Sequence, residues 1–279
     1  MSQKRKILMI SSYVASGQVG LQAAQPALRA LDVAVVSLPT TLLAAHPAAF
    51  PDAGLPAGGA VPPEQVRTMG DWLLKAGALD GCDAVLTGYM PSAAHIEVTA
   101  DLIRRLKQKR PDVKVCCDPI CGDMYGEHGR LYVPQAVVDG LRDVLLPLAD
   151  MATPNLFELH TLSGAPCDDT AMTVAAARQL NCEQLIVTSA PASEGRIATL
   201  KIDAQVARCE TARAPHAPHG MGDFFAALYL GLSLKKEPKA LGISCATLAA
   251  RIAHHGNPDE LPHGPVTLAP AALSDKVAG

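Results

Sequence analysis

Residues 84–118 read AVLTGYMPSAAHIEVTADLIRRLKQKRPDVKVCCD, and this stretch decides the fold. Ala84 to Thr87 reads as a strand, Ala93 to Lys109 as a helix, and Val113 to Asp118 as a second strand. Strand, helix, strand in that order is the signature of a mostly parallel sheet, because parallel neighbours need a crossover that lays a helix on one face. Upstream, the same alternation holds. Ile7 to Ser11 reads as a buried strand, Gly20 to Leu31 as a helix kinked at Pro26, and Val33 to Leu38 as a strand whose apolar run lacks alternation and so fits a sheet covered on both faces. Leu42 to Pro63 is crowded with Ala, Gly and Pro and reads as a long irregular connection, a kind of segment more often functional than idle. A helix follows at Glu64 to Ala76.

Downstream, Gly122 to Val133 reads as a polar excursion, Gln135 to Leu146 as a helix and Asp150 to Thr153 as a short strand. Helices at Leu156 to Ser163 and Thr170 to Leu180 precede a strand at Gln184 to Thr188. Ile197 to Ile202 and Gln205 to Cys209, parted by Asp203-Ala204, read as an antiparallel hairpin at one sheet edge. The chain carries no repeat, heptad run or low-complexity linker, so residues 1–279 are expected to form one α/β domain.

Composition excludes several classes. A chain of 279 residues buries a sizeable core. Net charge is −3 with dispersed Lys and Arg, which implies neither nucleic acid nor an anionic membrane as partner. Aromatic content of 4% with one tryptophan, Trp72, argues against a stacking platform for single strands. The apolar run Ile7 to Ile10 is too brief for a signal-peptide core or a membrane span, and a cytoplasmic location is the expectation. The eight cysteines are expected to be reduced, since Cys116, Cys117 and Cys121 lack the paired spacing of a zinc site. His216 with His219, and His254 with His255, lack companion ligands and read as loop and helix-end residues.

In doubly wound sheets, ligands gather beyond the carboxyl ends of the strands. The residues there are Ser11 and Ser12, then Thr87, Gly88 and Tyr89, then Asp118, then Thr153-Pro154-Asn155 with Glu158, and finally Thr188 and Ser189. Gly220-Met221-Gly222-Asp223 opens the apolar helical stretch Phe224 to Leu232. Two glycines let the backbone approach an anion, unpaired N–H groups at the helix start point outward, and the helix dipole adds positive potential. Asp223 stands where a carboxylate would accept the proton of an attacking hydroxyl, the base role of phosphoryl transfer. Asp118 and Glu158 are candidate Mg2+ groups, since a hard cation bridging phosphates takes few carboxylates. The chain has no Gly-x-x-x-x-Gly-Lys-Ser/Thr loop, and Gly220 to Asp223 is no Gly-x-Gly-x-x-Gly fingerprint, which disfavours P-loop and nicotinamide chemistry.

These residues carry a resemblance to the ribokinase-like superfamily and, within it, to the pyridoxal kinases, over nearly the whole chain. The most specific block joins Cys117-Asp118-Pro119-Ile120-Cys121-Gly122-Asp123, Gly129-Arg130-Leu131-Tyr132-Val133-Pro134 and Ala149-Asp150-Met151-Ala152-Thr153-Pro154-Asn155-Leu156-Phe157-Glu158. Ile10-Ser11-Ser12-Tyr13, Gly17-Gln18-Val19-Gly20, Val187-Thr188-Ser189 and the Gly-x-Gly-Asp of Gly220 to Asp223 add to it. The resemblance implies a three-layer α/β sandwich and ATP-dependent phosphorylation of the 5′-hydroxymethyl group of vitamin B6. Asp223 would be the base and the backbone of Gly220, Met221 and Gly222 the anion hole. Asp118, Thr153, Asn155, Thr188 and Ser189 would serve ATP, Asp118 and Glu158 would hold Mg2+, and Ser12, His46, Tyr89 and Asp223 would meet the vitamer. It further implies a homodimer and leaves K+ open as a second cation. A hydroxymethylpyrimidine kinase and a non-catalytic B6-binding regulator are the alternative readings.

Two departures stand out. Where family members commonly carry Asn-His-Thr-Gly, this chain has Ala45-His46-Pro47-Ala48, and Pro47 removes a hydroxyl and a backbone donor. Met221 replaces the small residue usual inside Gly-x-Gly-Asp, although its backbone still donates. Cys121, near the expected pocket, reads as a buried inert thiol rather than one that adds to an aldehyde.

Overall fold

A computed structural model describes residues 4–125, 128–214, 218–253, 265–271 and 274–277. In chain order the elements begin with β1 (Lys6–Ser16), α1 (Leu21–Ala30), β2 (Ala34–Ala45), β3 (Gly58–Ala60), α2 (Pro63–Lys75), β4 (Ala84–Thr87), α3 (Ala93–Lys109) and β5 (Lys114–Cys117). They continue with β6 (Gly122–Tyr125), β7 (His128–Leu131), α4 (Gln135–Gly140), β8 (Met151–Ala152), α5 (Leu156–Ser163), α6 (Thr170–Ala177) and β9 (Gln184–Ala190). The last are β10 (Arg196–Ile202), β11 (Val206–Ala212), α7 (Met221–Leu234), α8 (Ala240–Ala253) and β12 (Ser274–Val277).

Among the described residues one ten-stranded sheet runs in the order β12-β11-β10-β9-β8-β5-β4-β1-β2-β3. The pairings from β2 through β1, β4, β5 and β8 to β9 are parallel, and both flanks are antiparallel. Side chains alternate faces along a strand, so each strand feeds two cores. Leu8, Ile10, Val85 and Cys117 pack under α2, α3, α4, α5 and α6. Ile7, Met9, Leu86 and Cys116 pack under α1, α7 and α8. This is the mostly parallel sheet expected from residues 84–118, in the three-layer arrangement the resemblance implies.

Several expectations are corrected. Leu42 to Ala45, read as irregular, continues β2, which pairs with β1 as far as Ser16↔Ala45 after a bulge at Ser11/Ser12. β3 then returns antiparallel along the outer edge of β2 and uses backbone groups that would otherwise lack partners. The polar excursion is a hairpin: β6 pairs with β7, and a Cβ at Gly122 or Gly129 would lie 2.4 or 2.1 Å from the Phe157 ring on which the hairpin rests. The helix expected at Gln135 to Leu146 keeps α-geometry only to Gly140, then widens to a π-turn at Leu141–Leu145 and tightens to a 3-10 turn at Leu146–Leu148, where Pro147 has no N–H to continue the ladder. The β10–β11 hairpin is not at the sheet edge, because β12 pairs with β11 and covers it.

Candidate active site

The site is built where β1, β4, β5, β8 and β9 end and α7 begins. Gly220 precedes α7 in a left-handed conformation with φ 82, and no side chain caps the helix. A Cβ there would lie 1.8 Å from the Gln18 carbonyl oxygen, so only glycine lets the helix start press against the turn between β1 and α1. The first-turn N–H groups of α7 at Met221 and Gly222 are therefore available to an anion, while the Asp223 N–H turns to its own carboxylate. The Met221 side chain leaves that space and packs on the core under α1 and α7.

Asp223 Oδ2 accepts the Gly20 N–H at 2.9 Å, across 203 residues of sequence. Gly20 is itself obligatory, with φ 56 and a Cβ position 2.3 Å from the Ser12 carbonyl oxygen. Burial pushes the Asp223 carboxyl up to about 6, and the Gly20 N–H pulls in the opposite direction. Asp118 lies close by. Its Oδ1 accepts the Thr153 hydroxyl at 3.0 Å, and burial, then the charge of Asp223, push its carboxyl well above the usual range. A small pocket between the sheet end and α1 is lined by Ser11, Gly20, Thr87, Gly88, Asp118 and Asp223.

Glu158 is buried rather than an exposed helix-start charge. With Asn155 it forms a capping box on α5: Asn155 Oδ1 accepts the Glu158 N–H at 2.8 Å and Glu158 Oε2 accepts the Asn155 N–H at 2.9 Å. Glu158 Oε1 accepts the Cys121 N–H at 3.1 Å, and the Asn155 amide donates to the Gly122 carbonyl at 3.0 Å, tying α5 to the loop after β5. Burial, then the charge of Asp118, push Glu158 well above the usual range. Half-buried Asp223, buried Asp118 and buried Glu158 thus form a chain of acids whose charges repel. Thr188 joins Asn155 through a parallel bridge, its N–H donating to the Pro154 carbonyl at 2.9 Å, while Ser189 next to it is exposed with φ 59.

Ser12, Tyr89 and His46 are the residues expected to meet the acceptor. The Ser12 Oγ lies against Gly20, 2.5 Å from where a Cβ would be. The Tyr89 N–H donates to Ser11 Oγ at 3.1 Å and its carbonyl accepts the Thr40 hydroxyl at 2.7 Å, and burial raises its phenol. His46 is half-buried, and its ring lies 4.2 Å from that of His219. Burial, then His219, push His46 down to about 4. Cys121 is buried and burial pushes its thiol up. The positions of His216, His254 and His255 lie outside the described residues. The sequence pointed to Gly20 through Gly17-Gln18-Val19-Gly20 and to Ser11 as a strand-end residue, but not to their contacts with Asp223 and Tyr89, and it read His219 as a loop residue with no sign of its contact with His46.

A parallel α/β sandwich with an uncapped Gly-x-Gly-Asp helix start and an acid chain at its strand ends defines a class of phosphotransfer folds. The chain belongs to the phosphomethylpyrimidine kinase family, whose pattern matches residues 15–256. Within that family it is similar to the pyridoxine/pyridoxal/pyridoxamine kinase of Bordetella bronchiseptica, 37% identical over 243 residues that span 84% of this chain and 83% of that protein. Among solved structures, pyridoxal kinase from Leishmania donovani in complex with ADP and pyridoxamine superposes with TM-score 0.84 at 25% identity, over 99% of this chain and 100% of that one. Pyridoxal kinase from Entamoeba histolytica gives TM-score 0.84 at 25% identity over 93% and 92%.

Proposed function

We propose that this chain is a pyridoxal kinase that transfers the γ-phosphoryl group of ATP to the 5′-hydroxymethyl group of pyridoxal or a related B6 vitamer. The observation that carries this reading is the Asp223 carboxylate, held by the Gly20 N–H at 2.9 Å at the uncapped start of α7 and flanked by buried Asp118. Asp223, pushed up to about 6, is ionised at neutral pH yet basic enough to take the alcohol's proton as the phosphorus–oxygen bond forms. The backbone of Gly220, Met221 and Gly222 is the anion hole that receives the charge spread over the phosphoryl oxygens. Thr153, Asn155, Thr188 and Ser189, along the ends of β8 and β9, are the groups we assign to the nucleotide, with Asp118. Ser12, His46 and Tyr89 are assigned to the vitamer.

The acid chain fits a hard divalent cation: its donors are carboxylate oxygens, and their repulsion in a buried setting is what a cation relieves. Asp118 would hold Mg2+, with Glu158 acting through water because both its oxygens already accept backbone N–H groups. Bound there, Mg2+ supplies charge neutralisation on the phosphate oxygens. A homodimer by resemblance, with K+ left open as a second cation, and one domain over residues 1–279 in the cytoplasm, as read from the sequence, complete the reading. Among the described residues no helix is long and apolar enough to cross a membrane. The second reading, phosphorylation of a hydroxymethylpyrimidine, is favoured by the family pattern that matches residues 15–256. A coupled ATP-consumption assay with pyridoxal, pyridoxine, pyridoxamine and hydroxymethylpyrimidine in parallel separates the two. Turnover of the pyrimidine and of no B6 vitamer would overturn the first.

A further inference from the structure

His219 immediately precedes the anion hole, and His46 immediately follows β2; the structure brings their rings to 4.2 Å between centroids with a tilt of 36°. His46 Nδ1 accepts the Ala48 N–H at 3.3 Å, so a neutral His46 ring carries its proton on Nε2 and offers it as a donor. The neighbouring segment Ala45-His46-Pro47-Ala48-Ala49 offers no other polar side chain. Burial and the nearness of His219 both disfavour charge on His46, which is pushed down to about 4. The charged group that faces this pair from β6 is Asp123, whose carboxyl is raised by burial and drawn back by His219.

We propose that His219 is a positioning residue for acceptor selection, acting through His46: the paired ring holds His46 oriented as an Nε2–H donor toward a heteroaromatic alcohol. This inference rests on the phosphotransfer reading above and deepens it, because it assigns acceptor choice to a contact between two segments 173 positions apart in number.

The test compares wild type, His219→Leu, His219→Asn, His46→Leu and the His46→Leu/His219→Leu double variant by steady-state kinetics, with an NMR titration of the His46 ring. Loss of one neutral hydrogen bond corresponds to roughly a two- to tenfold rise in KM for pyridoxal. That rise is expected in both His219 variants with the ATP KM within about twofold, a split that a general folding defect does not produce. The double variant is expected to be no worse than His46→Leu alone, the mark of residues that act as a unit. In His219→Asn the His46 titration midpoint is expected to rise, because a repelling partner is gone. An unchanged pyridoxal KM in both His219 variants, additive losses in the double variant, or an unmoved His46 midpoint would overturn the inference while the wild-type activity stands. Wild type that turns over no B6 vitamer would overturn the phosphotransfer reading, and the inference with it.

Discussion

Asp223 concentrates the chemistry in one carboxylate whose protonation decides whether a base is present. Because burial raises it to about 6, it is protonated and unable to act below that pH and ionised above it. The kcat/KM for the vitamer should therefore fall as pH drops through about 6, and Asp223→Asn should lose roughly a hundred- to ten-thousand-fold in kcat with nucleotide affinity nearly intact. A pH–rate profile together with ADP titration checks both; a variant with near-full turnover removes Asp223 from the role. Pro47 is the second residue whose effect is local. Restoring a hydroxyl by Pro47→Thr should lower the pyridoxal KM by several-fold with kcat little changed, the worth of one neutral hydrogen bond of about 0.5 to 1.5 kcal/mol. An unchanged KM would show that this loop position makes no acceptor contact.

At the scale of elements, two helix starts do different work. α7 is left uncapped and held by Gly220 against Gln18, so its N–H groups remain free for an anion. Gly220→Ala places a Cβ 1.8 Å from a carbonyl oxygen at φ 82, and the helix start must shift. Activity and thermal stability should fall together, by at least about 1 to 3 kcal/mol in the latter, read by thermal unfolding. α5, in contrast, is fully capped: Glu158 accepts the Asn155 and Cys121 N–H groups. Glu158→Gln turns one acceptor into an NH2 facing a donor, so it should lower the unfolding temperature as well as raise the Mg2+ concentration needed for activity. A variant that shifts only stability would leave Glu158 as a cap and nothing more.

For the whole molecule, the buried acids link stability to pH and to metal. Asp118 and Glu158 are held well above their ordinary range, so the folded chain keeps protons that the unfolded chain releases. Stability contributed by such groups is complete below the ordinary carboxylate range near pH 4 and declines as pH rises above it. The ligand-free protein should accordingly unfold at lower temperature near pH 8 than near pH 5, and Mg2+ should recover more of that loss at the higher pH, where the carboxylates are ionised. Calorimetry at both values with and without Mg2+ reads this directly. Equal gains at the two values would place the ion elsewhere.

The amino-acid sequence by itself determined those elements whose signal is local. α3 at Ala93–Lys109 and α5 at Leu156–Ser163 fall on the bounds read from the sequence, and the strand–helix–strand order of residues 84–118 fixes a parallel sheet because its crossover needs no distant partner. Motif spacing likewise placed Asp118, Asn155, Glu158 and Asp223 at one end of that sheet. Long-range pairing decided the rest. β3 and β12 are short segments that become strands only because β2 and β11 offer them backbone partners, and the β6–β7 hairpin depends on a ring supplied by α5. The Gly20 hydrogen bond to Asp223 and the His46–His219 contact join residues remote in the chain, so no window of sequence contains both members. Such contacts exist only once the sheet has brought its strand ends together, which is why the chemistry was legible residue by residue and its geometry was not.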